Sequence, residues 1–195
     1  MKTYDVSREV YGDLIHFKEL LLKWNNSINL ISSNDILYLD ERHINDSLQL
    51  LKFIPEKNIS ILDLGSGGGF PGIILSIAGV EKTTLVESDS RKAAFLLQAS
   101  KISSSQINII NDRIENIDNF LCNIVTSRAF KDLDTIFRYT RNFTFDKLLL
   151  LKGETYSKEI EVAEKRWLFN VRIHDSITSE KGKVLEITDV KLRIL

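Results

Sequence analysis

An α/β fold, doubly wound around a mainly parallel sheet, is predicted by three observations. Short apolar runs alternate with helical segments between residues 59 and 166, the pattern of parallel strands joined by crossover helices. The first run (Ile59, Ile61, Leu62, Leu64) leads into four glycines in five positions (Gly65, Gly67, Gly68, Gly69), and Pro71 then opens an apolar helix. A strand, a glycine turn and a helix start together suit a nucleotide-like ligand. Two last runs, Leu168–Asp175 and Val184–Val190, flank a Lys181-Gly182 turn and read as a closing antiparallel pair.

In chain order, residues 5–25 carry Val10, Leu14, Phe17, Leu21 and Trp24 at helical spacing, and Asn25 and Asn26 end the pattern. A second helical region spans 35–54, with a break marked by Asp46 and Ser47, and Pro55 to Asn58 links it to the glycine turn. The predicted layout is therefore an N-terminal helical cap (1–57) on a single core (58–195). Within that core, Thr83–Glu87 is the second strand and Ser90 the N-cap of a helix to about Lys101. Gln106–Asn111 and Asn123–Thr126 are the third and fourth strands. A helix to about Tyr139 follows Ser127-Arg128-Ala129-Phe130. The fifth strand is Phe145–Leu151, and 155–166 is helical.

The composition is that of a soluble globular chain: 195 residues, 43% hydrophobic and 27% charged. A net charge of −1 lends no support to non-specific nucleic-acid binding, which usually needs a basic domain. The one cysteine, Cys122, excludes an internal disulfide, and His16, His43 and His174 are scattered, so no metal site is expected. No secretory signal and no run of roughly 20 apolar residues is present, so a cytoplasmic protein without a membrane span is expected.

The glycine turn lacks Gly-Lys-Ser/Thr, so it is not an ATPase-type phosphate loop. A G-x-G-x-x-G register exists at Gly67, Gly69 and Gly72, but it starts four residues beyond Asp63, late for a dinucleotide turn. Counted from Asp63, the turn Gly65-Ser66-Gly67-Gly68-Gly69 resembles the cofactor loop of Rossmann-like class I S-adenosylmethionine methyltransferases. Glu87 ends the second strand about twenty residues on, where an acid accepts ribose hydroxyls. Nicotinamide dinucleotides use the same device, so Glu87 does not choose between the cofactors. Asp112, Arg113, Ile114 and Glu115 follow the third strand, beside the adenine in such folds; a helix start with acids in its first turn explains them equally well.

Ser127-Arg128-Ala129-Phe130 occupies the acceptor position. The Asn/Asp-Pro-Pro-aromatic motif of exocyclic-amine methylation is absent, and Cys122 reads as core rather than as a thiolate for pyrimidine C5 chemistry. Guanine N7 fits what remains, because its in-plane lone pair has no proton to lose; hydroxyl and small-molecule acceptors also survive this elimination. Arg42-His43 with Asn45 and Asp46 forms a polar cluster in an apolar helical region.

From Leu20 to Gly153 the chain resembles the bacterial small-subunit rRNA guanine-N7 methyltransferases, also called glucose-inhibited division protein B. The segments that carry the likeness are Lys23-Trp24-Asn25 with Asn29-Leu30, Arg42-His43 with Asp46-Ser47-Leu48, Asp63 to Gly72, Arg113-Ile114-Glu115, Ser127 to Phe130, and Leu151-Lys152-Gly153. The resemblance implies S-adenosylmethionine as cofactor, with contacts at Gly65, Ser66, Gly67, Gly69, Phe70, Ile114, Glu115 and Arg128 and with Glu87 on the ribose. It implies acceptor-positioning roles for Arg113, Arg128, Lys152 and Asn29, and small-subunit rRNA or the ribosomal small subunit as partner. N7 chemistry requires no general base, so none is assigned, and a monomer is expected. Phe70 is expected to wall the cofactor pocket. The chain departs from the family at Lys183-Val184, where an Arg-His pair usually opens the last strand. The competing readings are an NAD-dependent oxidoreductase and a non-catalytic RNA- or ribosome-binding protein.

Overall fold

The run around Leu62 becomes an interior strand of a seven-stranded sheet in a computed structural model that describes residues 6–193. Asp5, where the expected first helix begins, and the last two residues lie outside the described residues. Strand β1 (Ser60–Leu64) is buried at four of its five positions. Helices cover both faces of the sheet here, which is why the strand is a nearly continuous apolar run. On one side it pairs in parallel with β2 (Lys82–Val86), which pairs with β3 (Gln106–Ile110). On the other it pairs with β4 (Ile124–Arg128), which pairs with β5 (Lys147–Lys152). The expected C-terminal pair is present as β6 (Trp167–Asp175) and β7 (Lys183–Leu192), with β7 inserted between β5 and β6 and antiparallel to both.

The helix α1 (Arg8–Asn25) starts at Ser7, whose hydroxyl accepts from the Val10 N–H. Its stripe of Leu14, Phe17 and Leu21 is buried. Phe17 meets Phe70 edge-on at 5.6 Å and Phe95 at 6.2 Å. The expected second helical region is present but irregular. It comprises α2 (Ser33–Ile36), a π-helical turn (Asp40–Asn45), a single α turn, α3 (Asp46–Leu48), and a 3₁₀ turn (Gln49–Phe53). The wide π turn falls where the Arg42 carbonyl accepts from the Arg128 guanidinium at 2.9 Å; such turns recur at functional sites.

After the glycine turn comes the short, fully buried α4 (Gly72–Ile77), then α5 (Ser90–Ala99), α6 (Leu133–Thr140) and α7 (Tyr156–Glu164). Two starts differ from expectation. Asp89, not Ser90, caps α5: its carboxylate accepts from the Arg91 and Lys92 N–H groups at 2.8 and 3.3 Å, so Ser90 is the first helical residue. The stretch after Phe130 does not enter a helix until Leu133, where Asp132 accepts from the Thr135 N–H at 2.9 Å. Residues 114–116 form only a 3₁₀ turn. The chain runs outward from β1 to β3 and returns at β4, so the crevice at the carboxyl ends of β1 and β4 is the topological switch point, where ligands bind in open α/β sheets.

Candidate active site

Two cavities open at this crevice, one on each side of the segment that leaves β4. The first, of about 360 Å³, is lined by Gly65, Gly67, Glu87, Arg113, Ile114 and Glu115, with Phe130 and Tyr139 as a further wall. Gly65 and Gly67 hold φ of +67° and +53°, left-handed geometry that favours glycine. A Cβ at Gly65 would also overlap the Phe130 ring. The turn is fastened by Glu87, which is 8% exposed. Its Oε2 accepts from the Gly67 N–H at 2.9 Å and its Oε1 from the Asp89 N–H at 2.8 Å. Each carboxylate oxygen keeps a second lone pair for a ligand hydroxyl. Glu115 accepts from the Tyr139 hydroxyl at 2.9 Å; its own backbone N–H and this hydroxyl hold its carboxyl below the usual range.

The second cavity, of about 540 Å³, is lined by residues from both ends of the chain, among them Arg42, Asp46, Arg128, Lys152, Thr178 and Lys183. Arg128 is fixed on several sides. Nη1 donates to the Arg42 carbonyl, Nη2 donates to His43 Nδ1, and the guanidinium carbon lies 5.1 Å above the Phe70 ring. Asp46 Oδ2 approaches Arg128 Nη1 at 3.9 Å. Asp46 Oδ1 accepts from Thr178 Oγ1 and Gln49 Nε2, both at 2.7 Å. Burial pushes the Asp46 carboxyl above its ordinary range, against the pull of these partners. Lys152 Nζ donates to the Lys131 carbonyl and pairs with Glu159 at 2.7 Å, which ties the end of β5 to α7.

Between the cavities, Ala129 holds a φ of +49°, a strained value for a residue with a side chain. That turn sends Arg128 into one cavity and Phe130 into the other. Beneath it lies Asp63, fully buried in β1. Its Oδ2 accepts from the Gly72 N–H at 3.2 Å and its Oδ1 from Thr126 Oγ1 at 3.1 Å. Burial raises its carboxyl to about 6. The first N–H of α4 is thus taken by Asp63 and is not free for a ligand.

The sequence-predicted residues separate accordingly. Gly65, Gly67, Glu87, Ile114 and Glu115 converge on the first cavity, and so does Arg113, which places Arg113 apart from Arg128 and Lys152 in the second. Ser66 and Gly69 line neither: Ser66 Oγ donates to the Asp63 carbonyl, and Gly69 packs on Ile73. Phe70 is not a wall of the Glu87 cavity; it is buried beneath Arg128 and His43 because Phe17 and the His43 ring, 4.9 Å away, enclose it. Asn29 is exposed and lines neither cavity. The loop that carries it is held by Asn25, whose Oδ1 accepts from the Leu30 and Ile31 N–H groups at 2.9 and 3.0 Å. Sequence reasoning missed Phe130 and Tyr139 as a cavity wall and Thr178 as a partner of Asp46. Asp63 did carry a signal, an acid inside an apolar strand.

Residues 11–188 match the family described as rRNA small subunit methyltransferase G. The chain belongs to that family. A relative from Rickettsia prowazekii (strain Madrid E), named ribosomal RNA small subunit methyltransferase G, is 53% identical over 186 residues, which cover 95% of this chain and 97% of the relative. A relative of the same name from Rickettsia typhi (strain ATCC VR-144 / Wilmington) is 52% identical over 187 residues, with the same coverage. Among solved structures, magnesium protoporphyrin IX methyltransferase from Synechocystis PCC 6803, with bound S-adenosylmethionine, superposes with a TM-score of 0.62 at 11% identity, covering 95% of this chain and 99% of that one. Ribosomal protein L11 methylase from Lactobacillus delbrueckii subsp. bulgaricus gives 0.59 at 12% identity over 73% and 76%. At these identities the structural likeness speaks for the fold, a class I methyltransferase fold. Family membership displaces the NAD-dependent oxidoreductase reading.

Proposed function

We propose that the chain transfers a methyl group from S-adenosylmethionine to N7 of a guanine in small-subunit rRNA. The observation that carries this reading is the β4 exit, where Arg128-Ala129-Phe130 divides a cavity suited to a nucleoside from one suited to an acceptor. The first cavity fits the cofactor: backbone at Gly65 and Gly67 can approach it closely, Glu87 offers lone pairs to ribose hydroxyls, and Ile114 with Tyr139 offers apolar surface to the base. When bound, the cofactor supplies a methyl group on a sulfonium sulfur, activated for displacement.

This chain's residues then have to orient the acceptor. Guanine N7 carries no proton, so no side chain is asked to act as a base. Orientation is the main contribution, and holding reacting atoms near 3–3.5 Å can supply about 7–11 kcal/mol of the barrier. A guanidinium that reads guanine through both O6 and N7 would occupy the lone pair to be methylated. The role of Arg128 is therefore to hold O6 or a flanking phosphate, and its contacts to the Arg42 carbonyl, His43, Asp46 and the Phe70 ring fix its direction for that task. Arg113, on the cofactor side, is available to phosphate or to the cofactor's base. The proposal extends to a cytoplasmic monomer whose cap (1–57) frames the acceptor side of the core (58–195).

The test is methyl transfer from radiolabelled cofactor to ribosomal small subunits, naked small-subunit rRNA and free nucleosides. Label recovered as 7-methylguanine in small-subunit RNA is the expected result. Label in protein or in another base, or no label with undermethylated RNA, would overturn it, the last in favour of a non-catalytic RNA-binding protein.

A further inference from the structure

Three consecutive apolar residues, Ile36, Leu37 and Tyr38, are exposed where α2 ends. Leu39 fills the inward position of this segment, so burial does not account for the other three. Leu37 is 84% exposed and Tyr38 47%. Scattered apolar side chains need no explanation, but a contiguous patch beside a cavity marks a contact surface. Tyr38 lines the second cavity, together with Glu41 and Arg42.

The Tyr38 ring carries a second plane. The Arg42 guanidinium lies over it, 4.8 Å from the ring centroid. Arg42 Nη1 donates to Asp35 Oδ1 at 3.0 Å, and the Ser32 hydroxyl holds Asp35 in turn by donating to Oδ2 at 2.6 Å. Guanidinium N–H groups point along its plane, so this ion pair engages the edge and leaves the faces free. One face is turned to Tyr38. The Arg42 side chain is 57% exposed, which keeps the other face for a ligand. The charge of Arg42 is already met by Asp35, and Glu41 and Asp46 line the same cavity, so a phosphate is not favoured here. A flat, weakly hydrated surface suits the π face of a base. Depth decides which base. The Arg128 side chain is 19% exposed, so it sits deeper than Arg42, whose carbonyl accepts from it. A guanine held by Arg128 therefore leaves its neighbour in the strand at the rim.

We propose that Tyr38 and Arg42 form a stacking platform for the nucleotide next to the methylated guanine, so that the site takes an unpaired strand and not a duplex. The platform rests on the rRNA methyltransferase reading and deepens it. Stacking on an aromatic ring or an arginine plane needs a base splayed out of its helix, and it tolerates any base.

The test compares Y38A, Y38L and Y38F in the full-length chain; a half-exposed side chain is replaced, so the core stays intact. Binding to naked small-subunit rRNA is measured across a salt series, and S-adenosylhomocysteine binding by calorimetry. A stacked base is worth about 5–150-fold in affinity. Y38A and Y38L are expected to bind RNA about tenfold more weakly, with KM for RNA raised in step. The slope of log K against log[salt] stays unchanged, because stacking releases no counterions. Y38F binds as wild type, and all three variants keep wild-type affinity for S-adenosylhomocysteine. Oligoadenylate binds the wild type more tightly than an abasic sugar–phosphate oligomer of equal length, and Y38A loses the difference. Wild-type RNA binding by Y38L would overturn the proposal in favour of plain apolar contact. A smaller salt slope in Y38A would overturn it in favour of a phosphate contact by Arg42. A defect with intact small subunits that is absent with naked rRNA would overturn it in favour of a protein partner. Turnover tells the two failures apart: a wild type without methyl transfer ends the methyltransferase reading, whereas methyl transfer with Y38A and Y38L binding RNA as wild type ends only the platform.

Discussion

Arg128 and His43 meet nitrogen to nitrogen: the guanidinium Nη2 donates to Nδ1 of the imidazole. A guanidinium has no acceptor, so Nδ1 supplies the lone pair and the ring is neutral with its proton on Nε2. That N–H is buried without a hydrogen-bond partner, 3.8 Å from Asp35. Burial, and then the Arg128 charge, push the His43 pKa down to about 4. The ring thus orients Arg128 only while it stays uncharged.

A pH dependence with two opposed components follows. Between pH 6.5 and about 4 the unfolded chain protonates His43 and the folded chain does not, so acid removes stability, on the order of 3 kcal/mol by pH 4. Asp63 has the opposite sign: its carboxyl is raised to about 6, so the folded chain binds a proton first and acid adds stability down to the ordinary value of 3.8. Denaturant midpoints at pH 7, 5.5 and 4.5 are expected to fall more steeply for D63N than for wild type, and to fall less or rise for H43Q. Three parallel pH profiles would contradict this assignment.

Arg128→Lys separates the two cavities. Lysine cannot reproduce the planar fork that reaches the Arg42 carbonyl and His43 together. Turnover is expected to drop by about 10²-fold through misplacement of the acceptor. Affinity for S-adenosylhomocysteine, read by calorimetry, should stay within a few-fold, because Arg128 lines the second cavity only. A matching loss of cofactor affinity would assign Arg128 to the cofactor instead.

Glu87→Ala should do the reverse. It removes the acceptor for the Gly67 and Asp89 N–H groups along with the proposed ribose partner. Cofactor affinity is expected to fall by about 10–100-fold, on the basis of ~1.5–3 kcal/mol for hydrogen bonds to a charged group. Glu87→Gln keeps only one acceptor oxygen and should fall between the two. Calorimetry with S-adenosylhomocysteine measures both.

Gly72→Ala tests the packing beneath the turn. A Cβ there would lie 2.8 Å from Asp63 Oδ2 and closer still to Leu85. Neither neighbour is free to move, since Asp63 and Leu85 are both fully buried. A loss of about 2–3 kcal/mol is expected from overpacking and the disturbed carboxylate, measured as a shift in denaturant midpoint. Gly67→Ala, with no neighbour nearer than 3.7 Å to its Cβ, is expected to lose only about 1 kcal/mol from its left-handed backbone.

The sheet was legible because periodicity carries it. Buried parallel strands are apolar runs, and β1 to β5 fall within a few residues of their expected bounds. The first cavity was legible for a related reason: the glycines and Glu87 sit at fixed distances along one strand–turn–helix–strand unit, so local spacing encodes their meeting. The second cavity was not. Asp46 and Thr178 are 132 residues apart, and nothing local at Thr178 signals a partner. Insertion of β7 between β5 and β6 leaves no trace in the alternation of either strand. Phe70 follows the turn in sequence yet belongs beneath Arg128, because a side chain's face is decided by what packs over it.

The bridge from Asp46 and Gln49 to Ser176, Ile177 and Thr178 also sets the two cavities apart. All the residues that line the cavity proposed for the cofactor lie within 65–139. The cavity proposed for the acceptor needs contacts that close a loop of more than 120 residues, and chain entropy opposes such contacts more than local ones. The cavity proposed for the cofactor thus rests on contacts close in sequence, and the one proposed for the acceptor on contacts far apart in it.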